Sequence, residues 1–429
     1  MRLKTIQLTN YRRFIDTEVT FSPRFSAIVG VNGSGKTSLL SGMADALVAA
    51  FISGVAPWSH PITHEMDVRS ERKTVEGLTR FEPCFPVRIR CTGEAQGNAD
   101  LEWTITRKAS PAFPDFDSGA HELARVLNES LNEFSPENPS PMFAYYRANR
   151  QWPVSALNTV AAATRRESRI DAFASWSDAS KDVENMQFWI VAKYLQRLQS
   201  SNDSAKPFDS FSHDELAIVN GVLSSVVEGA KAFRFDMRDH ALLIEWTDGS
   251  YSSFAGLSDG QRSAICLITD IVRRMCLLNP QLGAKVAELT PGVILIDELD
   301  VHLHPGWQSM MVRGLKATFP SIQFIVASHS PQVLGELEPD EIVILNDEGV
   351  SSPLVSYGMD SSRVLEVIMG VKARPPEVGA ALDSLFELIE RGDLETARQA
   401  LAKLKSEAPG VVELGRAEAL IRRKEILGR

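Results

Sequence analysis

The hydrophobic residues of this chain fall into short runs, each of which ends at a polar or glycine-rich segment. Four such runs span residues 25–29, 293–296, 324–327 and 341–345, in which Ser26 and Glu341 are the polar residues. A strand that is covered by helices on both faces has no polar face, so continuous apolar runs of this length are typical of central parallel strands. The pattern predicts an α/β protein with polar residues at the ends of its strands.

Other segments have the spacing of hairpins and helices. Residues 86–107 are expected to form an antiparallel hairpin with a polar turn, and residues 233–246 return the chain to strand structure. Helices are predicted over residues 37–50, over most of 152–227 and through the tail 360–429. No sustained heptad repeat occurs in the helical segments, which argues against long coiled-coil arms.

Local signals give some helix ends. We expect a helix over residues 183–198 that stops at a break over 201–204, and a capping box of Ser212 and Glu215 at the start of the next helix. In the tail, the Gly-Asp pair at 392–393 ends one helix and caps another, which predicts a helical hairpin.

A glycine-rich loop joins the first apolar run to a predicted helix. Residues 30–37 satisfy the pattern G-x-x-x-x-G-K-[ST]. Backbone amides and the helix N-terminus supply partial positive charge, Lys36 reaches the β and γ phosphates, and the hydroxyl of Thr37 is placed to bind Mg²⁺. The sequence therefore predicts a site for ATP and Mg²⁺. The predicted nucleotide contacts in this loop are Gly30, Asn32, Gly33, Ser34, Gly35, Lys36, Thr37 and Ser38.

A later apolar run ends in two carboxylates, Asp297 and Glu298. The C-terminal end of a central parallel strand commonly opens onto a ligand. We expect Asp297 to hold Mg²⁺, directly or through water, and Glu298 to orient and polarise the attacking water, with Lys36 and His329 as further catalytic groups. An Asp-Glu pair after a strand is otherwise a solvated turn, so this assignment depends on the phosphate loop.

The pentapeptide Leu-Ser-Asp-Gly-Gln precedes a predicted apolar helix and contains Ser258, Gly260 and Gln261. These residues lie at a helix N-terminus that can face an anion. The alternative is that Ser258 acts only as the helix cap. Farther along, another apolar run ends in Ser-His, which places His329 to sense the γ phosphate.

The order of these motifs, with Ile-Leu-Ile-Asp-Glu, Glu-Leu-Asp and Ala-Ser-His-Ser-Pro after the pentapeptide, resembles the ABC-type ATPases of the SMC, Rad50, RecF and OLD group. The resemblance covers residues 1–110 and 250–350. It implies an ABC-type P-loop ATPase head, with a mixed sheet, an antiparallel lobe, a helical insertion and a helical C-terminal tail. In that group each ATP lies between the phosphate loop of one protomer and the Ser258-type signature of the other, which implies a homodimer or higher oligomer.

The resemblance also suggests roles near the N-terminus and a division of the chain. Residues 6–14 resemble the first strand and nucleotide-edge loop of the group, which implies phosphate or base contacts for Arg12 and Arg13, although both can equally be surface arginines. The expected domains are an N-terminal ATPase lobe (1–110), a mostly helical insertion (111–232), a C-terminal ATPase lobe (233–350) and a helical tail for partner binding (351–429).

Residues 364–370 and 387–397 of the tail resemble the PtuA-type ATPases of Septu and retron anti-phage systems. This resemblance implies a regulatory ATPase that controls a separate HNH nuclease of the PtuB type through its C-terminal helices. The tail lacks the acidic Toprim pattern and the His/Asn cluster of nucleases, so we expect no nuclease activity in the chain itself. The alternatives are a RecF-like repair ATPase that binds DNA and a transporter ATPase, for which Gln151 is the nearest glutamine-loop candidate.

Composition narrows the choice of partners. The 429 residues contain 45 Lys and Arg against 55 Asp and Glu, a formal charge of −10, so nucleic acid would have to bind a local basic surface. A solvated face, or contacts to the nucleotide lobe, is the alternative use of that surface. The candidate residues are Tyr145, Tyr146, Arg147, Arg150, Trp152, Arg165, Arg166 and Arg169.

The remaining signals concern compartment and metals. No apolar run is long enough to span a bilayer, no signal peptide is recognisable, and the four cysteines have no C-x-x-C spacing, so a cytoplasmic protein with reduced thiols is expected. The spacing of His302 and His304 suits a metal, but no third ligand of the right type is nearby, and a structural turn is the favoured interpretation.

Overall fold

The computed structural model describes residues 1–54, 62, 65–75, 78–95, 98–372 and 374–427. In this part of the chain the fold divides into two compact units, Met1–Met359 and Asp360–Arg429. No described helix is both long enough and apolar enough to cross a membrane.

The described strands all lie in the larger unit. In chain order they are β1 (Arg2–Tyr11), β2 (Phe14–Thr20), β3 (Phe25–Val29), β4 (Ser70–Val75), β5 (Leu78–Pro83), β6 (Val87–Ala95), β7 (Asn98–Arg107), β8 (Asp115–Phe116), β9 (Met142–Tyr146), β10 (Ala230–Asp236), β11 (Ala241–Trp246), β12 (Tyr251–Ser253), β13 (Gly292–Ile296), β14 (Ile322–Ala327), β15 (Ile342–Asn346) and β16 (Gly349–Ser351).

The α-helices occur in both units. They are α1 (Lys36–Leu47), α2 (Ser118–Asn132), α3 (Thr159–Thr164), α4 (Val183–Ser204), α5 (Glu215–Val226), α6 (Asp259–Leu278), α7 (Val286–Leu289), α8 (Pro305–Thr318), α9 (Pro331–Leu334), α10 (Ser361–Val367), α11 (Pro376–Arg391), α12 (Leu394–Glu407) and α13 (Glu413–Leu427).

The core of the larger unit is a six-stranded sheet in the order β16-β15-β3-β14-β13-β9. Five of its strands are parallel, and β16 pairs antiparallel with β15. Every residue of β3, β9, β13 and β14 is buried, as expected for strands covered on both faces. The α/β fold predicted from the apolar runs is confirmed.

Strand β9 departs from the prediction, which places residues 142–146 inside a helical insertion. In the structure Tyr146 pairs with Ile296 of β13, and Ile296 pairs with Val326 of β14. Because these strands run in one direction, the segments that follow them meet at the same edge of the sheet. The phosphate loop, Asp297 and the residues after β9 therefore belong to one site.

A five-stranded antiparallel sheet, β2-β1-β6-β7-β8, lies beside the core. Strands β6 and β7 confirm the predicted hairpin, whose turn at residues 96–97 lies outside the described residues. The indole N–H of Trp103 on β7 donates to the carbonyl of Ala46 on α1 (3.0 Å). The buried amide of Gln323 on β14 accepts from the N–H of Leu3 (2.7 Å) and donates to its carbonyl (2.8 Å). Both contacts fix the antiparallel sheet to the phosphate-loop half of the core.

Helix α4 is longer than the sequence predicts. It continues to Ser204 and ends where Ala205 takes a left-handed conformation with φ +52°. The polar residues 201–204, expected to form a break, are the last turn of the helix, where exposed polar side chains are tolerated.

The start of α5 also corrects the prediction. Asp214, not Ser212, caps the helix by accepting from the N–H of Ala217 (2.8 Å), and Glu215 is the first helical residue. Asp214 also accepts from Nε of Arg197 on α4 (2.7 Å). This tertiary contact selects the cap, and a search for local capping motifs cannot detect it.

The smaller unit contains its own hydrophobic core. Helix α11 ends at Gly392, where φ is +81°, and Asp393 caps α12 by accepting from the N–H of Thr396 (3.2 Å). The predicted helical hairpin is confirmed, and α13 completes a three-helix arrangement. The buried core residues are Leu382, Leu385, Ile389, Ala397, Leu401, Leu404, Leu414, Ala417 and Ile421.

Candidate nucleotide-binding and catalytic site

The loop between β3 and α1 has the backbone of an anion cradle. Gly33 and Gly35 have φ values of +81° and +103°, which side chains with a Cβ rarely adopt. A Cβ at Gly35 would also lie 2.7 Å from Cδ of Arg13. The loop therefore needs glycine at this position, and backbone amides at such a loop and helix N-terminus can bind an anion.

Two polar side chains of this loop are suited to phosphate oxygens. Nζ of Lys36 donates to the carbonyls of Gly30 (2.9 Å) and Val31 (3.2 Å), so it already lies across the cradle. Burial lowers the pKa of Lys36, and the carboxylates of the neighbouring strand end oppose this shift. The hydroxyl of Ser34 is buried without a hydrogen-bond partner among the described residues, which is unusual for a buried polar atom and fits a ligand contact.

The other predicted loop residues line the same opening. Asn32 and Thr37 are exposed and Ser38 is half-buried. The hydroxyl of Thr37 hydrogen-bonds to Asp297 at the end of β13, and this bond opposes the rise that burial causes in the pKa of that carboxyl group. A hydroxyl and a carboxylate side by side are the oxygen donors that Mg²⁺ prefers beside nucleotide phosphates. Thr37 and Asp297 therefore fit the predicted metal.

Glu298 follows in a strained conformation. Its φ is +50°, in the left-handed region where non-glycine residues are uncommon. The guanidinium of Arg150, in the loop after β9, donates to the carbonyl of Asp297 (2.5 Å) and to the carbonyl of Glu298 (2.8 Å). The strand end that carries the predicted catalytic carboxylate is thus held by a residue from the edge of the sheet.

Asp300 connects the end of β13 to the end of β14. Its carboxylate accepts from the hydroxyl of Ser328 (2.6 Å) and from the backbone N–H of His329 (3.3 Å). Burial lowers the pKa of His329, and Lys36 lowers it further, against the opposing effect of the carboxylates. The imidazole therefore favours its neutral form and lies within electrostatic reach of the phosphate-loop lysine.

The structure separates the two arginines of the N-terminal loop. Arg13 donates to the carbonyl of Gly33 and to the carboxylate of Asp347 (3.2 Å), so it lies directly on the phosphate loop. Arg12 instead forms two hydrogen bonds with the buried carboxylate of Asp67 (3.1 and 3.0 Å). Arg13 is thus the better placed of the two for a nucleotide contact.

The signature pentapeptide begins α6. The hydroxyl of Ser258 accepts from the N–H of Gln261 (3.3 Å), and the side chain of Gln261 accepts from the N–H of Ser258 (3.1 Å). A Cβ at Gly260 would lie 2.4 Å from the carbonyl oxygen of His302, so glycine lets the helix start pack on the loop after β13. Ser258 is exposed, and both predicted properties, the helix cap and an accessible helix N-terminus, coexist here.

The histidine pair lies in the turn that precedes α8. Nδ1 of His304 accepts from the N–H of Gly306 (3.3 Å) at the start of α8, and His302 has a left-handed φ of +63°. Across the described ranges, no group of three His, Cys, Asp or Glu residues is arranged to hold a metal ion.

The proposed basic surface does not form as a unit. Tyr145 and Tyr146 are buried in β9, and Arg150 is directed at the carbonyls described above. Arg169 donates to the carbonyls of Leu278 (2.7 Å) and Leu131 (2.6 Å). These residues and the buried Trp152 contribute to the protein interior, while the remaining candidates at 147, 165 and 166 are exposed.

Sequence reasoning missed the position of Arg150 and the contact between Asp347 and Arg13. The only local signal for Arg150 is its place just after an apolar run, residues 142–146, that was not recognised as a strand. Once that run is taken as a core strand, the loop after it must lie at the catalytic edge.

Comparison with known proteins gives the family. The family described as "AAA domain, putative AbiEii toxin, Type IV TA system" matches residues 98–335, and the one described as "AAA ATPase domain" matches residues 1–44. The retron Vc95 probable ATPase of Vibrio cholerae serotype O1 biovar El Tor is 26% identical over 91% of this chain and 84% of its own length. The retron Ec83 probable ATPase of Escherichia coli is 34% identical over 88% of this chain and 78% of its own length.

Two further comparisons agree with this. The Septu protein PtuA of Bacillus mycoides (strain KBAB4) is 36% identical over 33% of this chain and 20% of its own length. The solved Smc head bound to the C-winged helix domain of ScpA has a TM-score of 0.50 at 13% identity and covers 84% of this chain and 98% of its own, a likeness of fold. The first family spans more than half of the chain, and the Ec83 relative aligns over most of both lengths. The chain therefore belongs to this AAA ATPase family, alongside the retron ATPases and PtuA, and has the fold of an SMC-type head.

Proposed function

We propose that this chain binds and hydrolyses ATP with Mg²⁺ and that two copies close around the nucleotide. The observation that carries the proposal is the convergence of the phosphate loop, the Thr37 and Asp297 pair, Glu298 and His329 at one edge of the parallel sheet. Phosphoryl transfer to water needs an anion cradle, a divalent cation and a group that orients water, and each has a candidate here.

Each residue then has a definite task. The loop amides, Ser34 and Lys36 bind the β and γ phosphates, Thr37 and Asp297 hold Mg²⁺, and Glu298 orients the attacking water. His329 is neutral near pH 7 because burial lowers its pKa, so it can donate or accept a hydrogen bond at the γ phosphate without adding charge.

The signature completes the site from a second copy. Ser258 and Gly260 lie at the N-terminus of α6, a helix of 20 residues, where the amides carry partial positive charge. In a two-fold dimer each signature would face the phosphate loop of the partner subunit, so that ATP is bound between the two subunits. Nucleotide binding and dimer closure are then one event.

The relatives' names support a role in defence. Retron ATPases align over 88% and 91% of the chain, and a Septu protein aligns over part of it. We infer that the chain is the ATPase subunit of an anti-phage complex, in which dimer closure controls a separate HNH nuclease. Helices α11, α12 and α13 of the smaller unit are the proposed docking element, since they share their own core and carry none of the predicted nucleotide contacts.

The catalytic assignment is tested with Glu298→Gln. This change keeps the shape of the side chain but removes the charge that polarises water, so ATP should still bind while turnover falls by roughly 10²- to 10⁴-fold. Steady-state phosphate release and ATP binding measure the two effects separately. Glu228→Gln, at an exposed carboxylate between α5 and β10, is the matched control and should keep turnover. Unimpaired hydrolysis in Glu298→Gln would refute the assignment.

A further inference from the structure

Arg150 is a buried cation without a carboxylate partner in hydrogen-bond range among its described contacts. Its side chain is 5% exposed, and its guanidinium donates to the carbonyls of Asp297 (2.5 Å), Glu298 (2.8 Å) and Arg147 (3.2 Å). Burying a guanidinium against neutral carbonyls carries a desolvation penalty, which well-formed hydrogen bonds must offset. The carboxylates of the strand end offset part of that penalty through their charge.

The two carbonyls that Arg150 contacts on β13 are consecutive, and they flank the strained residue. Glu298 has φ +50°, a conformation that persists only where the surroundings impose it. The planar guanidinium presents donors in a fixed fork and so can bind two neighbouring carbonyls at once. A peptide unit clamped on both sides cannot rotate, and the direction of the Glu298 side chain is fixed with it.

The loop that carries Arg150 is itself anchored. Asp297 donates its backbone N–H to the carbonyl of Tyr146, the last residue of β9 (2.8 Å). Beyond Arg150, the carbonyl of Pro153 accepts from the amide of Gln187 (2.8 Å), a fully buried residue of α4. The guanidinium therefore extends from a segment that is fixed at both ends, which is what a positioning group needs.

We propose that Arg150 is the positioning residue of the ATPase reaction: its guanidinium holds the peptide units of Asp297 and Glu298 so that the Glu298 carboxylate stays aligned with the attacking water. The proposal rests on the function proposed above and adds a residue that no motif of the phosphate loop, strand end or signature contains. Arg150 does not touch nucleotide in this account, so its loss acts on the chemical step and leaves ATP binding intact.

The test compares Arg150→Met and Arg150→Lys with Arg169→Met. Arg169 is a matched control because its guanidinium also donates to backbone carbonyls in the protein interior, but away from the catalytic edge. Turnover, KM for ATP, equilibrium ATP binding and thermal stability are measured for all three. Arg150→Met should lower kcat by on the order of 100-fold, because a misplaced catalytic group loses that much, while KM and ATP affinity stay within about threefold.

The control and the conservative variant separate positioning from general stability. Arg169→Met should lose stability but keep kcat within about twofold, because its guanidinium contacts the carbonyls of Leu278 and Leu131 and not the backbone of Asp297 or Glu298. Arg150→Lys restores one carbonyl contact and should recover part of the lost kcat, and it decides the question if Arg150→Met does not fold. Equal kcat in Arg150→Lys and the wild type, or equal losses in Arg150→Met and Arg169→Met, would overturn the proposal. If the wild type itself shows no ATP turnover, the proposed ATPase function is refuted. That outcome differs from the two outcomes that would overturn only the role of Arg150.

Discussion

The charged side chains at the carboxyl edge of the core sheet shift one another's proton affinities. Burial raises the pKa of Asp297, lowers that of Lys36, and lowers that of Arg150 to about 10; in each case the opposite charges nearby reduce the shift. Arg150 keeps its positive charge at neutral pH, since even its lowered pKa lies near 10.

His329 gives a test by pH at the residue scale. Burial lowers its pKa below the ordinary value of about 6.5, so the folded state binds the proton less readily than the unfolded state. The contribution of neutral His329 to stability is complete above its ordinary pKa, the value of the unfolded state. It declines as the pH falls below that value towards the lower pKa of the folded state. Melting temperatures from about pH 7.5 to about 5.5 should therefore fall more for the wild type than for His329→Asn. Parallel curves for the two proteins would contradict this.

The site residues that could be predicted best from the sequence are those that lie next to each other in it. Lys36 and Thr37 lie in one continuous loop, and Asp297 and Glu298 end one apolar run, so spacing alone brings each pair together. Arg150 could not be placed in this way. Its contacts with residues 297 and 298 cross almost 150 positions of sequence and depend on a strand pairing that composition does not reveal.

At the scale of elements, the signature helix α6 is tied to β9 by buried charges. The carboxylate of Asp270 on α6 accepts from Nε of Arg274 (2.7 Å) and from the hydroxyl of Tyr146 on β9 (2.8 Å), and Arg273 bridges to Asp182 (2.6 Å). Each of the four charged side chains is at most 3% exposed. The network fixes the signature helix against the strand whose neighbour carries the catalytic carboxylate.

Removing one member of this network should be strongly destabilising. Arg274→Met leaves the carboxylate of Asp270 buried with reduced compensation, which costs about 3–5 kcal/mol in comparable buried pairs. Chemical denaturation of the isolated chain measures the change. The control is Arg125→Met on α2, where an exposed arginine pairs with Glu122 and Glu129, and stability should barely change there. Equal losses of unfolding free energy in Arg274→Met and Arg125→Met would show that burial does not determine how much an ion pair contributes to stability.

Strands and helices were predictable where a local sequence pattern is enough to define them. The strands β3, β13, β14 and β15 and the helical hairpin of the smaller unit follow from apolar runs and a Gly-Asp boundary. Strand β9 was missed because five buried residues with two tyrosines are ambiguous between strand and helix. The start of α5 was misplaced because an ion pair with another helix, not a local motif, selects its cap.

At the scale of the whole molecule, the smaller unit provides a way to separate ATP turnover from partner binding. Leu385 is fully buried in its core, so Leu385→Ala should destabilise that unit by about 2–5 kcal/mol. Turnover by the isolated chain should persist, because every proposed nucleotide contact lies in the larger unit. Capture of the proposed HNH nuclease partner should be lost, as judged by co-purification. Retention of the nuclease by this variant would argue against docking through the C-terminal helices.

The fold class was predictable because the motifs occur in the order typical of the ATPase group that the sequence resembles, although the position of β9 in the sheet was not. How two copies meet could not be read from a single chain, since the signature and the phosphate loop are proposed to face each other only across the dimer. The exposed hydroxyl of Ser258 and the accessible start of α6 are the features of one subunit that this arrangement requires.

The most direct measurement mixes two inactive variants. Lys36→Ala lacks a functional phosphate loop, and Ser258→Arg lacks a functional signature, so each should be inactive alone if every site needs both parts. In a mixed dimer one site receives Lys36 from one subunit and Ser258 from the other, and an equal mixture should regain up to about a quarter of wild-type ATP turnover, because half of the dimers are mixed and each has one intact site. An equal mixture that stays inactive, or Ser258→Arg that hydrolyses ATP by itself at the wild-type rate, would contradict the shared site.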